Sequence, residues 1–340
     1  MTPERFQDLT KKYAHLRIAV VGDFCLDRYL EIDRARSETS LETGLAVHNV
    51  VAVRAEPGAA GTVLNNLVAL GVGEVIPIGF CGEDGEGFEL QRALELRSGV
   101  RLNHFFATSL RRTFTYCKPL LVEAGQAPRE LNRLDTKNWT ATPNQVCQRV
   151  LASVEAMRSV VDSLIVMDQV DVPETGVVTS TILSALENFP ESTPVIADAR
   201  RGLRAYPCVI YKMNGSELGA MMKLPSATAI DVVKDAAGAL ATQNRRPVFI
   251  TLSERGIVGA EPGGEVHHVP ALALRGPIDV VGAGDSVTAN LATALAAGAT
   301  VREAIELAAV AASIVIHKLG STGTASVDEI AELMFSARRS

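Results

Sequence analysis

The chain has 340 residues, 47% of them hydrophobic and 21% charged, which excludes a disordered or collagen-like polymer. A formal net charge of −6 argues against a general nucleic-acid surface but leaves room for one anionic ligand in a small basic pocket. The longest apolar stretches, such as 304–316, are broken (there by Glu306) and fall short of a membrane span, and the polar N-terminus lacks the apolar run of a secretory signal.

In chain order, the first strong element is the apolar run Arg17–Gly22, which ends at Asp23. Similar runs at 163–167, 195–197 and 247–252 end at Asp168, Asp198 and Ser253. Helix-period stretches lie at 145–157, 176–186 and 230–242. Short β runs alternating with helices predict a mostly parallel sheet flanked by helices, with ligands at the carboxyl ends of the strands. Two segments, about 30–56 and 103–135, carry β-type alternation without helical period and predict a small β lid over those strand ends. The last third reads as helices at 285–297, 301–318 and 327–338, with Gly298 and Gly320 as stop signals. No repeat or linker divides the chain, so a single α/β domain over 1–340 is expected. Five scattered cysteines, Cys25, Cys81, Cys117, Cys147 and Cys208, predict buried free thiols in a reducing cytoplasm.

The sharpest chemical feature is Asp279-Val-Val-Gly-Ala-Gly-Asp-Ser286 at the start of an apolar helix. Gly282, Ala283 and Gly284 can turn backbone amides inward, and the helix N-terminus adds unpaired N–H groups and a positive dipole end. That makes an anion hole suited to phosphate. Asp285 beside it could take a proton from a hydroxyl while the amides stabilise a moving phosphoryl group. An ordinary glycine turn with an Asp cap accounts for the same letters. Asn214 and Glu217 have the spacing of a helix capping box. No P-loop, dinucleotide fingerprint or zinc spacing occurs.

Read together, these stretches resemble the ribokinase-like (PfkB) carbohydrate kinases nearly end to end. The segment Gly282–Asp285 is similar to that family's signature, Thr251-Leu-Ser-Glu-Arg-Gly256 to its nucleotide-side turn, and Lys212-Met-Asn-Gly-Ser-Glu217 to its Asn-x-x-Glu element. The run 57–71 resembles its sugar-binding stretch, and 79–87 its glycine-rich strand exit. The opening 20–29, Arg112-Thr113, Arg133-Leu-Asp135 and Lys318-Leu-Gly320 are closest to the heptose 7-phosphate kinase subgroup.

The resemblance implies a ribokinase-like three-layer fold and transfer of the γ-phosphoryl group of ATP to a hydroxyl of a sugar or sugar phosphate, a heptose 7-phosphate among the candidates. Asp285 would be the base, with Gly282, Ala283 and Gly284 as the anion hole. Thr251, Ser253, Gly256 and Ser313 would hold ATP, and Asn214 and Glu217 would hold Mg2+ through water. A monovalent cation is a further cofactor of this class. Asp23, Asp27, Gly58, Ala59 and Thr62 would face the sugar. Ala59 and Thr62 depart from the Gly and Asn usual in the family, and Ala309 stands where an Asn near the nucleotide is common. A phosphorylated substrate needs cations under the lid. Arg28, Arg34, Arg36, Arg111, Arg112, Lys118 and Arg133 all lie in or beside the lid segments, and Arg112 and Arg133 are the picks. The expected assembly is a homodimer paired through the lids. Other readings are a kinase for a different sugar or a nucleoside, or a non-catalytic nucleotide-binding protein on the same fold. The nucleotidylyltransferase domain often fused to heptose kinases has no place within this length.

Overall fold

The computed structural model describes residues 1–123, 125, 128–225, 228–320 and 322–335. Arg17–Gly22 forms a strand with every residue after Arg17 buried, as its apolar run dictates. Ile18 and Val20 pack into one hydrophobic core, and Ala19 and Val21 into another. Successive side chains on a strand point to opposite faces, so a run apolar at every position needs cover on both sides. Helices Ala60–Ala69, Ala283–Ala296 and Val301–Val315 supply one layer. Helices Asn144–Met157, Ser180–Leu186 and Ile230–Asn244 supply the other. Each buried Val, Leu or Ile contributes about 1.5–3 kcal/mol.

The central sheet has nine strands. Seven run parallel, in the order Val248–Thr251, Ile210–Asn214, Val195–Ala199, Ser163–Asp168, Arg17–Gly22, Glu74–Gly82 and Phe105–Thr108. Ile257–Ala260 and then Val266–Val269 extend the first of these by antiparallel pairing. The four predicted strand runs and the mostly parallel sheet are all present.

The lid is a second, five-stranded sheet. Phe24–Asp33 lies at its centre, between Val50–Ala59 and Phe114–Val122, and Leu134–Thr136 and Arg129–Glu130 pair with the last of these. Both lid segments differ from the expected bounds. The first lid strand begins at Phe24, one residue after the core strand ends, and the second runs to Ala59. Gly22 and Asp23 mark the end of the core strand, but the lid strand follows at once with no loop between them. Phe105–Thr108 belongs to the central sheet instead, because Phe105 and Phe106 are buried against the two cores.

The helix expected over 176–186 begins at Ser180. A Cβ on Gly176 would lie 2.4 Å from a carboxylate oxygen of Asp23, so this glycine lets a loop close on that side chain. The last described helix is Val327–Phe335, and the expected extension to 338 lies outside the described residues. Cys25, Cys81 and Cys147 are buried thiols, whereas Cys117 is half-buried and Cys208 exposed, which corrects the expectation for those two. No described helix is long and apolar enough to cross a membrane.

Candidate active site

Gly282 takes φ 81°, the left-handed region where glycine is unstrained, and caps the helix Ala283–Ala296. Asp279 fixes the approach: its N–H donates to Ile316 O at 2.7 Å and its carboxylate accepts the Val281 N–H at 3.0 Å. Among the described residues no acceptor takes the N–H of Gly284 or Asp285. These are the orphan donors that a helix start leaves, and they converge where an anion would bind.

Asp285 is half-buried at this helix start. Burial, with Asp198 adding repulsion, pushes its carboxyl up to about 7, while Lys212 pulls the other way. Asp27 on the lid adds a smaller upward push. A base poised near neutrality matches proton abstraction from a hydroxyl. Asp27 is itself buried, with Lys118 Nζ 3.3 Å away, and burial raises its pKa against the pull of that lysine. Gly58 is required beside it, since a Cβ there would stand 2.8 Å from the Asp27 carboxyl carbon.

Other expected sugar-side residues are placed differently. Asp23 is fully buried, and its two oxygens accept the N–H groups of Val177 at 2.7 Å and Gln169 at 2.8 Å. It staples the loop that runs past Gly176, and burial together with Asp168 pushes it up to about 7. Thr62 is buried in the first turn of its helix. Ala59 caps that helix at φ 52°, ψ −116°, a left-handed conformation that strains any residue but glycine. Arg112 is exposed and makes no ion pair among the described residues; Asn138 clamps only its backbone. The neighbouring Arg111 is buried and holds the carbonyls of Thr140 and Ala141. Arg133 is exposed as well. Its guanidinium lies 5.0 Å from the centre of the Tyr116 ring, paired with Asp135.

The sequence reading passed over several residues at this end. Lys137 lies 5.9 Å from the same ring and 2.7 Å from Asp171, which Arg200 also meets at 3.3 Å. Tyr116 and the exposed Trp139 line a small cavity between lid and strand ends, with Asp23 and Cys25. Lys212 and Asp198, an ion pair beside the glycine turn, were passed over as well. Their signal was a charged residue inside each of two apolar strands.

The nucleotide-side residues come together. A cleft of about 640 Å³ runs past Thr251, Ser253, Gly256, Gly284 and Ser313, with Ala309 in its wall. Leu272, Leu274, Ile278 and Ile316 make much of it apolar, which suits a flat aromatic base. The buried Ser313 hydroxyl has no partner among the described residues. Gly256 is at φ 91°, and a Cβ there would collide with Val269 O at 2.0 Å.

Asn214 and Glu217 form a reciprocal capping box on the helix Gly215–Met222. The Glu217 N–H donates to Asn214 Oδ1 at 2.9 Å, and the Asn214 N–H to Glu217 Oε2 at 2.7 Å. Burial, with Asp198 adding to it, raises the Glu217 pKa against the hydrogen bond from Asn214. The other carboxylate oxygen of Glu217 has no hydrogen-bond donor among the described residues. No cluster of three or more His, Cys, Asp or Glu side chains gathers for a metal among the described residues. A carboxylate oxygen of this kind is a hard donor that suits Mg2+ with most of its water shell kept.

A family model described as pfkB family carbohydrate kinase matches residues 16–328. The bifunctional protein HldE of Azorhizobium caulinodans is 31% identical over 89% of this chain, and HldE of Hyphomonas neptunium is 31% identical over 96%. The chain spans 61% and 65% of the length of these two relatives. Among solved structures, phosphofructokinase-2 from Escherichia coli in complex with potassium superposes with a TM-score of 0.73 at 19% identity, over 95% of this chain and 100% of that one. Ribokinase from Arabidopsis thaliana complexed with ribose and ATP gives 0.68 at 18%, over 94% and 99%. At these identities the structures speak for the fold, which is ribokinase-like. With the family model spanning most of the sequence, the chain belongs to the pfkB family of carbohydrate kinases, phosphotransferases with an alcohol group as acceptor.

Proposed function

We propose that this protein transfers the γ-phosphoryl group of ATP to a hydroxyl of a sugar that already carries a phosphate, a heptose 7-phosphate among the candidates. The observation that supports kinase chemistry is Asp285, its carboxyl pushed up to about 7, at a helix start where the Gly284 and Asp285 amides have no acceptor among the described residues. ATP would lie in the cleft past Ser253 and Ser313, its γ-phosphate at the Gly284 and Asp285 amides. Asp285 takes the acceptor's proton as the phosphoryl group passes in line, so catalysis is mostly positioning and charge stabilisation. The phosphorylated substrate is supported by Arg133 and Lys137 over Tyr116, with Arg200 close by. A panel of sugars and sugar phosphates, screened by ADP release, tests the reading. Turnover on sugar phosphates is expected; turnover on free sugars or nucleosides alone would overturn the substrate half of it.

Mg2+ supplies charge neutralisation on the transferring phosphates when bound, and Glu217 would hold it through water. Glu217→Gln is then expected to raise the magnesium concentration needed for half-maximal rate, leaving the sugar requirement little changed. A pure capping role predicts a lower melting temperature and unchanged metal dependence. A monovalent cation rests on the family resemblance alone.

The lid surface carries exposed Leu45, Val50, Val51 and Val53. Apolar β surface of this kind is usually paired or covered. A homodimer clasped lid to lid is the expected assembly, and light scattering at micromolar concentration should show twice the chain mass. A monomer there would rule it out.

A further inference from the structure

Trp139 is the single tryptophan of the chain, and it is 69% exposed. A lone exposed apolar side chain is ordinary on a protein surface, but the backbone that carries this one is held on both sides. Before it, Lys137 pairs with Asp171 at 2.7 Å. The Asn138 amide clamps the backbone of Arg112, accepting its N–H at 3.1 Å and donating to its carbonyl at 2.9 Å. After it, the buried Arg111 guanidinium donates to Thr140 O at 3.0 Å and to Ala141 O. Thr142 then donates its N–H to Glu174 O and its hydroxyl to Gly176 O, each at 2.7 Å. The neighbours of Trp139 are thus tied to the segment before the lid strand Phe114–Val122 and to the loop after the core strand Ser163–Asp168. Ordering them costs conformational entropy that burial of the indole does not offset. The ring lines the small cavity between lid and strand ends, together with Phe114, Tyr116 and Gln169. Among the described residues Gln169 donates its backbone N–H to Asp23, and its side-chain amide has no partner.

We infer that Trp139 is an acceptor-binding residue: its indole stacks on the C–H face of the sugar that receives the phosphoryl group. The inference rests on the kinase reading above. A sugar ring has an apolar face of C–H bonds and a rim of hydroxyls. A site for it needs an aromatic plane for the face and a few placed polar groups for the rim. Trp139 supplies the plane on a rigid backbone and with few rotatable bonds, so little entropy is lost when a ligand covers it. Gln169 supplies an amide for the rim. Lys137, two residues before Trp139, puts a cation beside the same cavity for a phosphate on the sugar. The substrate class that fits is a cyclic sugar with one open C–H face, not an open-chain polyol. The stack is made equally in the ground state and the transition state, so it belongs to KM and not to kcat.

With no other tryptophan in the chain, the emission of Trp139 reads the contact directly. Each sugar and sugar phosphate of the ADP-release panel is titrated into the wild-type protein, with inorganic phosphate and ATP as separate controls. The free protein should show solvent-like emission that acrylamide quenches freely. A sugar acceptor should shift the emission to the blue and shield it from acrylamide. Inorganic phosphate has no ring to stack, and it and ATP should leave the emission unchanged. Trp139→Ala is expected to raise the KM for the acceptor by roughly 10-fold, the equivalent of about 1.4 kcal/mol. Its kcat, its KM for ATP and its melting temperature should stay near wild type, and Trp139→Phe should restore most of the acceptor KM. A purely structural role predicts instead a lower melting temperature in Trp139→Ala and no response of the emission to sugars. Blue emission in the free protein, no shift with any panel member, an equal shift with inorganic phosphate alone, or an unmoved acceptor KM in Trp139→Ala would overturn the inference. A shift with a sugar but no ADP release with any acceptor would leave the stacking in place and count against the kinase reading instead.

Discussion

Replacing Asp285 with Asn is expected to lower turnover by roughly 10²-fold or more while ATP binding is largely kept. Asn preserves shape and hydrogen bonding but cannot accept the acceptor's proton. The wild-type pH profile should carry the same group. Its carboxyl is pushed from an ordinary 3.8 up to about 7, by burial first and by Asp198 second. Base catalysis needs the ionised form, so kcat/KM should rise with pH up to about 7 and then level off. Stability should move the opposite way. Ionising Asp285 costs more in the folded than in the unfolded chain, so folding loses stability as pH rises from about 4 towards 7 and loses no more above it. Asp285→Asn removes that loss and should melt higher than wild type at pH 8, with the gain shrinking as pH falls. Melting curves at both pH values check the sign. Wild-type turnover in the variant would remove Asp285 from the mechanism.

Arg133→Ala is expected to raise the KM for a sugar phosphate by roughly 10- to 150-fold, from a charge-assisted bond worth about 1.5–3 kcal/mol. The KM for ATP should stay nearly unchanged, because Arg133 sits over Tyr116 on the lid side and not in the nucleotide cleft. Its present partner Asp135 competes with a phosphate, which places the effect toward the lower end of that range. Arg112 is exposed and in no ion pair among the described residues, so Arg112→Ala should change neither constant much. Steady-state kinetics on both variants decide it: equal effects at the two positions would contradict the placement of the phosphate over Tyr116.

Four strands of the main sheet were legible because they are buried almost throughout and so read as short apolar runs, such as Arg17–Gly22. The glycine turn was legible because an anion hole built from backbone needs small residues before a helix, and Gly282–Asp285 has them. The lid was legible only in outline. Phe24–Asp33 continues from the core strand without a turn, and Phe105–Thr108 has lid-like letters but core burial. The polar groups of the sugar end were the least legible. Asp23 and Asp27 look alike in sequence, yet one is spent on the backbone of a loop and the other pairs with Lys118 of the lid. Lys212 and Asp198 sit on neighbouring strands, fourteen residues apart. Pairings of that kind are made by the sheet and cannot be read from spacing along the chain.

The central claim is tested most directly by following label from γ-³²P-ATP with the wild-type protein, Mg2+ and sugar phosphate acceptors. Label is expected in a product that carries two phosphate groups, with none passed to the unphosphorylated sugars. Label appearing in free sugars alone, or in inorganic phosphate alone, would contradict the account.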